Sequence, residues 1–165
     1  MIIAKETRAT PAVTISLAMR AGSICDSVDS PGAMYLLSRL LDRGTAARSG
    51  EEIAEELDSR GITLMTTVTR HLTSISCTCL AEDFEPVFSL LSEIVTSPTI
   101  PESELAIRKG EVITAIRQDE DNPAVRAVEG LMALLYPGHP YGRPMRGSVA
   151  AVETATRDTL LPLHR

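Results

Sequence analysis

The stretch ITLMTTVTRHLTSISCTCL, residues 62–80, restricts the fold more than any other part of the chain. Its β-branched and apolar residues recur at every second position, the period of a strand. Arg70 and His71 interrupt that alternation, so the stretch reads as two strands that turn near these residues. Strands joined by so short a connection run antiparallel. AVTISLAMRAGS, 12–23, alternates in the same way and supplies another strand. The remaining periodic segments repeat at helical spacing. The expected fold class is therefore α+β, a mainly antiparallel sheet packed against several helices.

The helices are delimited by local signals. In DSPGAMYLLSRLLDRG, Asp29 or Ser30 offers a cap, Pro31 suits the first helical position and Gly44 suits the residue after the last turn. In SGEEIAEELDSRG, Ser49 and Glu52 stand in capping-box register and Gly61 is the stop. DFEPVFSLLSEIVTSP reads as a helix with Leu90, Leu91, Ile94 and Val95 inward. PESELAIRKGEVITAIRQDEDNP is a longer helix opening at Pro101, and PAVRAVEGLMALLYPG another that starts at Pro123. HPYGRPMRG is a loop. SVAAVETA and TRDTLLPLHR close the chain as short helices, with Thr156 and Asp158 as cap and first-turn residues. Residues 1–165 read as a single domain, with no repeat or linker.

Composition removes several function classes. The net charge of −6, with no basic run, argues against a nucleic-acid partner. Three cysteines, Cys25, Cys77 and Cys79, do not make a disulfide framework; Cys77 and Cys79 share one strand face and read as small buried hydrophobes. The apolar opening MII is stopped by Lys5, Glu6 and Arg8 before a signal sequence can form, and no run approaches the roughly 18 apolar residues of a membrane span. The expectation is a soluble cytoplasmic protein, or a periplasmic one if a leader has been removed, with no membrane partner. Only 3% of residues are aromatic, so the core is aliphatic.

Leu36, Leu37, Leu40 and Leu41 belong to that core. Tyr35, Ser38 and Arg39 interrupt them at i, i+3 and i+4, so the three share one helix face, which Asp42 continues. By spacing alone this is the solvent face of an amphipathic helix.

The surrounding motifs give that face another meaning. RAGS at 20–23, Gly32, the helix YLLSR and RGT at 43–45 resemble the opening of the pitrilysin/insulinase family of zinc peptidases. GEEIAEELDSRG, the long helical stretch closing on EDNP, and HPYGRPMRGS, similar to an HPYGRPILG-type loop, continue the likeness in order along nearly the whole chain. The resemblance implies a metallopeptidase-like layer architecture of the mitochondrial processing peptidase kind. It also implies an inverted H-x-x-E-H motif on the first helix. In such a motif two histidines hold zinc and the glutamate takes a proton from the metal-bound water.

On this chain the two histidines fall on Tyr35 and Arg39, and the general base on Ser38. The third ligand, from the long helix, falls on Ala115, and a supporting glutamate on Arg108. None can serve: Arg39 has no lone pair to offer a metal, and two arginines repel a dication. Glu104 and Glu111 share the face of Arg108 and Ala115 and are the substitute ligands on offer, but the better reading is helix ion pairing, Glu104 with Arg108 at i, i+4. His71, His139 and His164 are scattered and do not replace the lost ligands. Leu64 stands near an asparagine of the family's edge strand. The resemblance thus implies a non-catalytic member that binds no zinc and has no catalytic residue of its own, with Tyr35 and Arg39 as substrate-binding candidates. It implies a peptide or protein substrate met through a complex. It also implies a homo- or hetero-oligomer with a related peptidase domain, acting as partner or chamber half, as a contributor to proteolysis, or as a structural subunit or remnant. The family's last strand and second domain are expected to be absent from these residues.

Overall fold

The structure, a computed structural model, describes residues 1–7 and 9–164. Three antiparallel strands form one sheet: β1 (Ala12–Met19), β2 (Met65–Val68) and β3 (Thr73–Leu80), in the order β1-β3-β2. The hairpin expected at Arg70 and His71 is present, with Thr69 N–H donating to the Leu72 carbonyl across the turn at 2.8 Å. Register follows the alternation. Ile15 opposes Cys77 and Leu17 opposes Ile75, so Ile75, Cys77 and Cys79 lie on the buried face. Both thiols pack as small hydrophobes, and burial pushes their pKa up. On the other face the Thr14 and Thr78 hydroxyls meet at 2.9 Å.

Helices α1 (Ala33–Ser38), α2 (Gly50–Ser59), α3 (Phe84–Thr96), α4 (Glu102–Glu120), α5 (Pro123–Leu135), α6 (Val149–Thr154) and α7 (Arg157–His164) complete the unit. The fold class is α+β, as the sequence implies. α1 lies at its centre, packed against β2, α4 and α7. Leu36 and Leu40 are fully buried, and Leu37 and Leu41 nearly so. α3 buries Val87, Leu90, Leu91 and Ile94, while Val95 is only half-buried. α5 buries no side chain fully: Val125, Glu129 and Met132 are half-buried, and Val128, Leu131, Leu134 and Leu135 face solvent.

The start of α1 corrects the sequence reading. Neither Asp29 nor Ser30 caps it, and Pro31 is not its first helical residue. The N-cap is Gly32, at φ +89°, where a Cβ would collide with the Arg146 carbonyl. Gly147, at φ +79°, is excluded from carrying a side chain by the Pro31 carbonyl in the same way. Two glycines thus allow the 143–147 loop to cross the head of α1 at backbone distance. The missing cap is supplied from upstream: the Asp26 carboxylate accepts from Gly32 N–H and Met34 N–H, both at 2.8 Å. α1 also ends early. After Ser38 the chain tightens, Leu40 N–H donating to Leu37 O and Arg43 N–H to Leu40 O, so Gly44 does not follow a last helical turn. The strand β1 likewise stops at Met19 and Ser23–Cys25 forms a short turn against the hairpin.

Candidate functional site

A cleft of about 700 Å³ opens beside the head of α1. Tyr35, Ser38 and Arg39 line one side of it, Thr66, Thr67 and Val68 of β2 another, and Val125, Val128 and Glu129 of α5 a third. Asp119 enters from α4 and Arg146 from the loop after α5. The three motif positions are therefore brought together, as their spacing requires. Asp42 is not: the tighter winding after Ser38 rotates it away, and its carboxylate pairs with Arg43 at 2.9 Å.

Within the cleft the side chains are unequal. Ser38 is buried, and its hydroxyl donates inward to the Tyr35 carbonyl at 2.7 Å, so it is not presented to a ligand. Tyr35 is half-buried, and Arg146 Nε donates to its hydroxyl at 3.4 Å. The Arg146 guanidinium also pairs with Asp119 and lies 5.6 Å from the centre of the Tyr35 ring. The bond to Asp119 first, then that to Tyr35, holds the Arg146 pKa up. Glu129 has its carboxyl pKa raised by burial and by the neighbouring Asp119 charge, against the lowering effect of Arg146, Arg126 and Arg70. Arg39 is exposed at the mouth and has no ion-pair partner among the described residues.

Ala115 and Arg108 do not line this cleft. Arg108 reaches Glu104 at 3.4 Å, the expected i, i+4 pair, and Glu111 more closely at 2.7 Å. All three histidines have other duties. His71 meets the Tyr141 hydroxyl, His139 Nδ1 accepts from Tyr141 N–H at 3.2 Å, and His164 Nε2 lies 2.6 Å from the Val95 carbonyl. A second hollow, of about 640 Å³, lies between the 43–51 segment and the start of α4 and holds none of the motif positions.

The cleft does not fit a zinc ion. Among the described residues no three His, Cys, Asp or Glu side chains are grouped to hold a metal. At the motif the groups on offer are a phenol, an inward-turned hydroxyl and guanidinium groups, and the Asp119 carboxylate is already neutralised by Arg146. Arg146 was not singled out by the sequence. The available sign was a charged residue where the HPYGRPILG-type loop carries leucine.

The sheet, the helices packed with it and the cleft beside α1 make up an α+β domain with a ligand-sized hollow. A family model described as Insulinase (Peptidase family M16) matches residues 1–149, and the chain belongs to that family. It is similar to the crystal structure of a peptidase M16 inactive domain from Pseudomonas fluorescens, with a TM-score of 0.90 and 27% identity over 96% of this chain and 39% of that one. An uncharacterized zinc protease of Rickettsia bellii is 26% identical over 149 residues, 90% of this chain and 36% of its own length. A probable mitochondrial-processing peptidase subunit beta of Schizosaccharomyces pombe is 28% identical over 149 residues, 90% of this chain and 32% of its own. The chain spans about a third of the length of these curated relatives. No described helix is long and apolar enough to cross a membrane.

Proposed function

We propose that this chain is a non-catalytic peptidase-family domain that forms one half of a substrate chamber with a related zinc metallopeptidase domain. The observation that carries this reading is the Arg146 guanidinium, held between Tyr35 and Asp119 at the head of the motif helix. It is a fixed cation among the positions where a peptidase would gather metal ligands. The cleft walls remain open to a peptide, with Tyr35 and Arg39 as the contacting side chains and Val68, Val125 and Val128 as apolar surface. The inactive-domain neighbour and the subunit relative support a role within an assembly. Three unpaired cysteines support a reducing compartment such as the cytoplasm.

The test is zinc content and peptide cleavage, for the chain alone and mixed with a related domain that carries H-x-x-E-H. The chain alone is expected to retain far less than one zinc and to cleave nothing, and the mixture to cleave faster than the zinc-bearing partner by itself. One zinc per chain, lost when Glu104 or Glu111 is changed to Ala, overturns the non-catalytic reading. Cleavage unchanged on mixing overturns the chamber role and leaves a structural subunit.

A further inference from the structure

We infer that the cleft selects peptides carrying carboxylates, with Arg39 as the anchoring cation; the inference rests on the peptide-binding reading above and names its substrate class. The ionisable groups that line the cleft, tyrosine aside, are Arg39, Arg70, Arg146, Asp119 and Glu129. Guanidinium groups outnumber carboxylates there, although the chain as a whole carries a net charge of −6. The excess is local, and it faces a ligand-sized hollow.

The cations differ in what they can offer. Arg146 is consumed by Asp119 and Tyr35. Arg70 donates to the Arg143 carbonyl at 3.4 Å and lies 5.4 Å from the centre of the Tyr141 ring, with no carboxylate at ion-pair distance among the described residues. Arg39 has no partner at all among them. Its base is rigid, because it follows directly on α1, flanked by Leu37, Ser38 and Leu40, which are all buried. A guanidinium on a fixed base loses less freedom when it forms a two-pronged bond to a carboxylate. Glu129 weakens the opposing charge, since its burial beside Asp119 disfavours ionisation. Of the two carboxylates that line the cleft, Asp119 is already ion-paired, so a basic peptide would meet Glu129 as its counter-charge among the described residues, with Arg39 and Arg70 opposing it.

A carboxylate can come from Asp and Glu side chains or from a free C-terminus, so the test separates the two. Fluorescent ten-residue peptides share one apolar frame and carry Asp/Glu, Asn/Gln or Lys at the same positions. Each is made with a free and an amidated C-terminus. Binding to the whole chain is read by anisotropy at low and physiological salt. Acidic peptides are expected to bind about tenfold more tightly than their Asn/Gln counterparts, with the margin shrinking as salt rises. Arg39→Ala should abolish the margin and Arg39→Glu should reverse it towards the Lys peptides. Because Arg39 is exposed, both variants should fold, which circular dichroism checks. A margin that follows only the free C-terminus assigns the carboxylate to the chain end and still supports the inference. Equal binding of acidic and amide peptides overturns the inference and leaves the peptide-chamber reading standing. Binding of no peptide overturns both.

Discussion

The first helix and the second begin in different ways. α2 is capped within its own sequence: Glu52 N–H donates to Ser49 Oγ at 3.2 Å, and Ser49 N–H donates back to the Glu52 carboxylate at 2.8 Å. α1 is capped by Asp26, six and eight residues upstream of the N–H groups that it accepts from, across an irregular segment. The first cap is exposed and the second buried. α1 is also the helix that carries the cleft, and its head is closed over by the Gly147 loop that brings in Arg146. An element that only holds a fold can be specified locally. The element that carries the site is positioned by two other parts of the chain, the segment of Asp26 and the loop of Gly147.

The largest expected effect comes from the crossing itself. Gly147→Ala puts a side chain at positive φ against the Pro31 carbonyl and should cost about 3 kcal/mol or more, read by urea denaturation. A neutral result would mean that the loop does not bear on α1. Next is Asp26→Ala, which leaves Gly32 N–H and Met34 N–H without their acceptor inside the protein and should cost about 1–3 kcal/mol. Ser49→Ala at the exposed cap should cost less, about 1 kcal/mol. If the two caps weigh the same, burial is not what separates them.

The smallest effect is one of sign, and it sharpens the contrast most. Burial raises the Asp26 carboxyl pKa, outweighing the donors Met34 N–H and Gly32 N–H and the Arg143 charge. Its folded pKa therefore lies above the unfolded one, and its contribution to stability grows as pH falls through the folded value. The Ser49 backbone and hydroxyl lower the Glu52 pKa. That contribution is present above the unfolded value and is lost as pH falls through the folded one. Unfolding free energy followed from neutral pH into acid should lose a rising component in Asp26→Asn and a falling one in Glu52→Gln. The same slope change in both variants would rule out the opposed assignment.

The hairpin, the α2 capping box and the buried leucines of α1 were legible because each depends on neighbours within a few residues or on simple periodicity. The three-residue face of Tyr35, Ser38 and Arg39 was legible for the same reason. Asp26 and Arg146 were not. One acts over a gap with no regular period, and the other comes from a loop whose approach depends on Gly32 and Gly147 meeting. Ser38 shows a further limit: its place on the polar face was readable, but its hydroxyl turns to a carbonyl that only the folded backbone presents. The early end of α1, and with it the loss of Asp42 from the face, follows from tight turns that the run of leucines does not announce.

α3 and α5 have the same length and similarly apolar composition, yet α5 leaves its leucines in water, Leu134 being 82% exposed. A surface of that kind is also a handle for quality control. Chaperones and proteases bind apolar side chains that a folded protein ordinarily hides, so the abundance of this domain in a cell should depend on how fully α5 is shielded as well as on folding stability. Exchanging Leu131 and Leu134 for Gln should then lengthen its lifetime without altering its unfolding midpoint.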